Sequence, residues 1–328
     1  MNSRTHARLA GLAIASIISL ASVPARAIVI IATQDTTSLV NALLGGGGTG
    51  IVVTGVTLNG QQQVVDPGFP DSGTGTITSS GTYTNASNVY GIGAGVVLST
   101  GGVTGLSLPG IGSLIPGYED GPNTDTGNTW AYGTSFSPVV DPFDPPLGVP
   151  ATAAQEAVLD PITSRPDLDP PESYDHYDVT ELIIHFDMQP GFDQVGFNVV
   201  FGSEEWEEYV DSPFIDGFGM FLNGVNIASV NGLPVNIRHP AMTAISGTEL
   251  DGVLAPGGNP LLAFGGNANP TGNTLRFIVA DTSDGAWDTT VYFSSLSGIP
   301  QVPAPPAAWL AMTAAAACLP RLRRRRRG

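Results

Sequence analysis

The chain has 328 residues, of which 42 are Gly and 27 Pro and only 12% are charged; because Gly and Pro are the worst helix formers, this excludes a helical bundle, a coiled coil or a typical α/β enzyme. At 42% hydrophobic it can bury a core, which argues against wholesale disorder. There is no lysine, and nine of the 12 Arg lie in the first 27 or the last eight residues, so Arg165, Arg238 and Arg276 face all 29 acids between them, a net of −26 that disfavours nucleic acid as a partner.

Residues 1–27 carry Arg4 and Arg8, an apolar run over 9–23, and Ala25-Arg26-Ala27 as a cleavage pattern, which together read as a secretory signal peptide. The exported part, 28–300, has no cysteine, since Cys318 lies in the C-terminal tail; disulfides, thiol catalysis and cysteine metal sites are excluded for it. Asp35 and Thr36 are expected to cap a short helix over 38–44, stopped by Gly45 to Gly48. The β-branched run 51–58 and the glycine-bounded run 95–101 read as strands. From about 104 to 175 the chain is rich in Pro, Gly, Asp and Ser, and reads as a long irregular excursion packed on a scaffold.

The second half is sharper. Residues 182–188 alternate so that Phe186 and Met188 face a core while His185 and Asp187 point outward, and 195–201 alternate likewise. Residues 218–222, Asn223-Gly224 and 225–227 form the signature of a hairpin with a type I′ turn. A second turn is expected at Asn231-Gly232, and Pro234 points to an edge strand after it. Strands at 275–280 and 291–296 complete the set. Antiparallel strands without a βαβ rhythm predict an all-β fold, an antiparallel, jelly-roll-like β-sandwich with long irregular loops and one short N-terminal helix.

The tail, 301–328, runs Val302-Pro303-Ala304-Pro305-Pro306, then apolar residues 307–319, then Pro320 and the arginines. Thirteen helical residues reach about 20 Å, short of the roughly 30 Å of a bilayer core, and the arginines would hold the end in the cytoplasm. The order of these parts resembles the PEP-CTERM sorting signal of Gram-negative, exopolysaccharide-producing bacteria, with Ala304 where that signal usually has Glu. The resemblance implies an exosortase-type enzyme as partner, transient membrane insertion through the tail and an inner-membrane-anchored intermediate. A plain membrane anchor is the alternative.

Three stretches carry a second resemblance. Gly95-Val96-Val97-Leu98-Ser99-Thr100-Gly101, then Phe201-Gly202-Ser203-Glu204-Glu205-Trp206-Glu207-Glu208-Tyr209-Val210 with Ser212-Pro213-Phe214-Ile215-Asp216-Gly217-Phe218-Gly219, and then Ile278-Val279-Ala280-Asp281-Thr282-Ser283-Asp284-Gly285-Ala286-Trp287-Asp288 resemble the successive signatures of the choice-of-anchor L family, over roughly 36–299. Trp206 stands where that family usually has Tyr, and Ile215 where it usually has Asn. The resemblance implies an exported surface protein and carries no established activity.

The acidic clusters are the candidates for chemistry. Glu204, Glu205, Glu207, Glu208, Asp211 and Asp216 are close in sequence, as are Asp281, Asp284 and Asp288. If the two loops meet at one end of the sandwich, Glu204, Glu205, Asp216, Asp281 and Asp288 form an oxygen-rich site of the kind calcium takes. The alternative is a set of solvated negative faces. Glu204 and Asp216 are the pair a glycoside hydrolase would use. No G-x-S-x-G elbow or H-E-x-x-H motif occurs, and His176 in Tyr174-Asp175-His176-Tyr177-Asp178 reads as a polar loop or a metal-site fragment. Trp130, Tyr132, Trp206, Tyr209 and Trp287 offer faces for stacking on sugar, or anchors for loops, with at most two expected to be exposed. The sequence therefore predicts a non-catalytic binding or adhesion protein of the cell surface or the exopolysaccharide matrix, with calcium as its cofactor and extracellular polysaccharide or surface components as partners. The alternatives are a passive matrix or coat protein and a secreted glycoside hydrolase.

Overall fold

The computed structural model describes residues 28–45, 50–64, 76–104, 148–168, 170–245, 250–285 and 287–301. The expected signal peptide and tail, and the excursion over 105–147, lie outside the described residues.

In chain order the elements are β1 (Val29–Ala32), α1 (Thr36–Leu43), β2 (Ile51–Asn59), β3 (Gln62–Val64), β4 (Thr76–Thr78), β5 (Ser80–Thr84), β6 (Gly95–Ser99), α2 (Ala153–Thr163), β7 (His176–Met188), β8 (Phe192–Ser203), β9 (Gly217–Leu222), β10 (Val225–Asn226), β11 (Ser229–Val230), β12 (Leu233–Asn236), β13 (Met242–Thr243), β14 (Gly252–Leu254), β15 (Leu262–Asn267), β16 (Asn273–Thr282) and β17 (Thr289–Pro300). Two antiparallel sheets hold the long strands. The first runs β1-β5-β6-β17-β8-β14-β13, with β15 also on β8; the second runs β11-β12-β9-β16-β7-β2, with β10 on β9. This is the predicted all-β sandwich.

Alternation builds the core between the sheets. Val96, Leu98, Val199, Phe201, Val291 and Phe293 of the first sheet meet Leu182, Ile184, Phe186, Phe218, Met220 and Phe277 of the second. Phe293 stacks edge-on to Phe277, with ring centroids 4.6 Å apart. The predicted orientation of β7 holds, with Phe186 and Met188 buried and His185 exposed. Val97, Val200 and Tyr292 alternate to the outer face of the first sheet, where Tyr83, Tyr90 and Ile92 cover them. The long strands of this sheet therefore carry apolar residues on both faces.

Local chemistry sets the turns. Asn223 and Gly224 take φ of 52° and 83°, as a type I′ turn requires, and join β9 to β10 with Leu222 opposite Val225. Asn231 and Gly232 do the same between β11 and β12. Pro234 lies opposite Ser229, while Val235 and Asn236 pair with β9. The strand expected at the edge thus sits one place in, flanked by the two-residue β11. Asp35 caps α1 through the amides of Thr37 and Ser38, and the helix buries Leu39, Val40 and Leu43.

A second helix lies within the segment read as irregular. α2 packs Leu159 on Val179, Ile278 and Ala280 across the outer face of the second sheet. Its start is fixed by the Gln155 side chain, which accepts from the Thr152 amide at 2.9 Å. Pro161 near its end, and the Pro-rich neighbourhood, masked this pattern in the sequence. Among the described residues no helix is long and apolar enough to cross a membrane.

Candidate functional site: a buried carboxylate cluster

Strand register brings the acidic motifs to one end of the sandwich. Thr289 at the start of β17 lies opposite Ser203 at the end of β8, and Thr290 opposite Ser99 at the end of β6. In the other sheet, Ala280 near the end of β16 faces Gly217 at the start of β9, and Asp281 faces Tyr177 in β7. Glu204 and Glu205 follow β8, Asp288 precedes β17, Asp216 precedes β9 and Asp281 ends β16. The two acidic loops are therefore neighbours, one sheet contributing Glu204, Glu205 and Asp288 and the other Asp216 and Asp281.

Asp216 spans the two sheets. Its Oδ1 accepts from the Thr282 amide at 2.9 Å and its Oδ2 from the Thr289 hydroxyl at 2.6 Å. The Thr289 amide donates to the Thr100 hydroxyl oxygen at 2.9 Å, and the Glu204 amide to the Asp288 carbonyl at 3.3 Å. A sixth acid, Asp178 at the start of β7, is fully buried beside Asp281, and its Oδ1 accepts from the Val149 amide at 2.7 Å. A Cβ added at Gly148 or at Gly285 would lie 2.8 Å from Asp178 Oδ2, so only glycine lets these two loops close on it. The sequence placed Asp178 in a polar loop; its one local signal is its position at the start of a strand.

None of the five predicted carboxylates is more than 3% exposed, which excludes the solvated negative face for them. Glu205 Oε2 and both oxygens of Asp281 have no hydrogen-bond partner among the described residues. Burial pushes the Glu205 carboxyl well above its ordinary range, and the charges of Asp216 and Asp284 add to the rise. Asp216 rises to about 8, burial outweighing the hydrogen bonds from Thr289 and Thr282 that pull it down. Asp281 is also driven well up by burial, then by Asp216, Asp288 and Asp178. At an effective dielectric constant of about 20, two like charges 4 Å apart repel by about 4 kcal/mol, so several such neighbours do not stay ionised together without a counter-charge.

Among the described residues the bases lie elsewhere. Arg165 and Arg238 both pair with Asp167. Arg276 pairs with Glu181 on the outer face of the second sheet, where Asn59 Nδ2 also donates to Glu181 at 2.7 Å. The His239 ring contacts the Val230 carbonyl through Nε2 at 3.1 Å and accepts from the Ala241 amide through Nδ1 at 3.1 Å. The exposed His185 contacts Thr274.

His176 is fully buried, in β7 and not in a loop. Its Nδ1 lies 2.6 Å from Glu156 Oε2 and its Nε2 2.7 Å from the Thr163 hydroxyl. Glu156, Asp160 and His176 bring their ligand atoms within 4.8 Å of one another. Ligands on one tetrahedral zinc, each about 2.1 Å from it, stand about 3.4 Å apart, so the 2.6 Å contact is a hydrogen bond and not an open metal shell. The hydroxyl, imidazole and carboxylate also have the spacing of a nucleophilic triad, yet Thr163 is fully buried and no substrate reaches it. Glu204 and Asp216 are equally sealed, so they do not line an open glycoside cleft.

Trp206, Tyr209 and Trp287 are all half-buried around the cluster. Tyr209 packs on Phe214 and Trp287, at 5.7 and 6.0 Å between centroids. Trp206 lies over Gly252, where a Cβ would come within 2.4 Å of it. These rings close the end of the sandwich and do not form an open platform; Trp130 and Tyr132 lie outside the described residues.

No curated protein and no solved structure matches the chain. A family model matches residues 152–247, less than a third of the chain, from the residue that precedes α2 to just beyond β13; this stretch holds Asp178, Glu204, Glu205 and Asp216 and leaves Asp281 and Asp288 outside it. Over those residues the chain is similar to the Choice-of-anchor L domain, the family already suggested by its serine-glutamate-glutamate motif.

Proposed function

We propose that the protein is an exported, non-catalytic binding or adhesion module of the cell surface or the exopolysaccharide matrix, with calcium held among Glu204, Glu205, Asp216, Asp281 and Asp288. The match to the Choice-of-anchor L domain supports surface association. The calcium reading is carried by one observation: carboxylates from both sheets are sealed together, and Glu205 Oε2 and both Asp281 oxygens have no hydrogen-bond partner among the described residues. Calcium accepts six to eight oxygen ligands in flexible geometry, which suits loops that offer carboxylates, hydroxyls and carbonyls. The tail would bring in an exosortase-type enzyme and a membrane-inserted intermediate in a Gram-negative host.

Chromatography of the purified protein on immobilised exopolysaccharide, in millimolar calcium and in chelator, tests this function. Retention in calcium that is lost in chelator is the expected result. A second reading, a passive matrix or coat protein, is favoured by the half-buried state of Trp206, Tyr209 and Trp287. It predicts self-association and no retention. Release of reducing ends from the polysaccharide would overturn both in favour of a hydrolase.

A further inference from the structure

We infer that the cation is a folding switch: the two sheets close at this end only when a divalent cation sits among the buried carboxylates, so the chain stays open where such cations are scarce and closes where they are abundant. This rests on the reading of the cluster as a cation site, and it adds what that cation does. Three observations carry it. The acids come from both sheets, since Glu204, Glu205 and Asp288 border β8 and β17 while Asp178, Asp216 and Asp281 border β7, β9 and β16. Closing the sandwich therefore forces like charges together.

All six are at least nine-tenths buried, and Glu205 Oε2 and both Asp281 oxygens point into the cluster without a hydrogen-bond partner among the described residues. Among the described residues no base is placed to answer Glu205 and Asp281. Arg165 and Arg238 hold Asp167, Arg276 holds Glu181, and His176 lies between Thr163 and Glu156. A cation from solution supplies the counter-charge that these carboxylates need once they are ionised. The same sealing makes the cation structural, because a ligand approaching from solvent does not reach these oxygens. It also selects calcium over magnesium, which dehydrates reluctantly and keeps several waters that a closed site does not admit. A binding free energy of this kind is folding free energy when the site does not exist in the open chain.

The test compares the purified protein in chelator, in millimolar calcium and in millimolar magnesium, by near-ultraviolet circular dichroism and thermal melting, with calcium binding followed by titration calorimetry. The expected result at pH 8 is loss of the near-ultraviolet signal and of the cooperative melt in chelator, with recovery in calcium and little in magnesium. The double variant Glu205→Gln, Asp281→Asn removes two of the charges; it should keep more of its signal in chelator than wild type and gain less from calcium. Calcium binding with the same spectrum and melt in chelator would overturn the switch and leave the cation site standing. Absence of calcium binding to wild type would overturn both. The wild-type comparison decides even if the variant does not fold.

Discussion

Asp281 lies three residues beyond the one opposite Glu181 on the neighbouring strand, yet the two acids are buried in opposite ways. Glu181 is opposite Ile278 and receives Arg276, Asn59 and Gln155. Asp281 receives the charges of Asp216, Asp288 and Asp178 instead. A buried carboxylate that loses its only base is left uncompensated, at a cost of about 3–5 kcal/mol. Arg276→Met should therefore lower unfolding free energy by about that amount, measured by denaturant titration in calcium. An effect within the error of the titration would mean that Asn59 and Gln155 suffice. Neutralising a carboxylate in the cluster should act in the opposite direction when calcium is absent, since it removes repulsion and not a partner.

Among the elements, α2 departs furthest from its sequence context. It sits between Pro-rich stretches and carries Pro161, but Leu159 is fully buried against Val179, Ile278 and Ala280. Truncating such a side chain removes its transfer free energy and leaves a cavity, so Leu159→Ala should cost about 2–5 kcal/mol, read from the midpoint of denaturant unfolding. A much smaller loss would show that the helix rides loosely on the sheet. The hairpins lie at the other extreme. Asn223-Gly224 and Asn231-Gly232 need positive φ at both positions, and residue type alone supplies it, so both turns were legible in the sequence. α2 was not, because its stability comes from a sheet face made by strands far along the chain.

Across the whole molecule, charge and burial set a pH dependence that should report on the cluster. Glu205, Asp216 and Asp281 are raised in the folded state, Asp216 to about 8. Between the ordinary carboxylate range near 4 and about 8, the folded chain then binds more protons than the unfolded one. Stability in chelator is greatest at the acidic end of that window and is lost as pH rises through about 8. In chelator the cooperative melt should be present near pH 5, where these acids keep their protons, and be lost as pH rises to 8, whereas in calcium the same rise should leave the melting temperature level or raise it, because ionised carboxylates are the form that binds. A chelated protein whose melting temperature climbs with pH would show that these acids are ordinary salt-bridged ones.

What the sequence determined by itself is what neighbouring residues decide. Alternation in 182–188 and 195–201 fixed the faces of β7 and β8, Asp35 fixed the start of α1, and the lack of lysine fixed the acidic character of the exported part. It also named five of the six carboxylates in the cluster. Only the tertiary structure decided that they are sealed between the sheets, that Asp178 joins them, that His176 is a buried strand residue and that Arg165, Arg238 and Arg276 are engaged elsewhere. The physical reason is range: turn and strand preferences act over a few residues, whereas burial and charge pairing depend on which distant segments the register of the two sheets brings within a few ångströms.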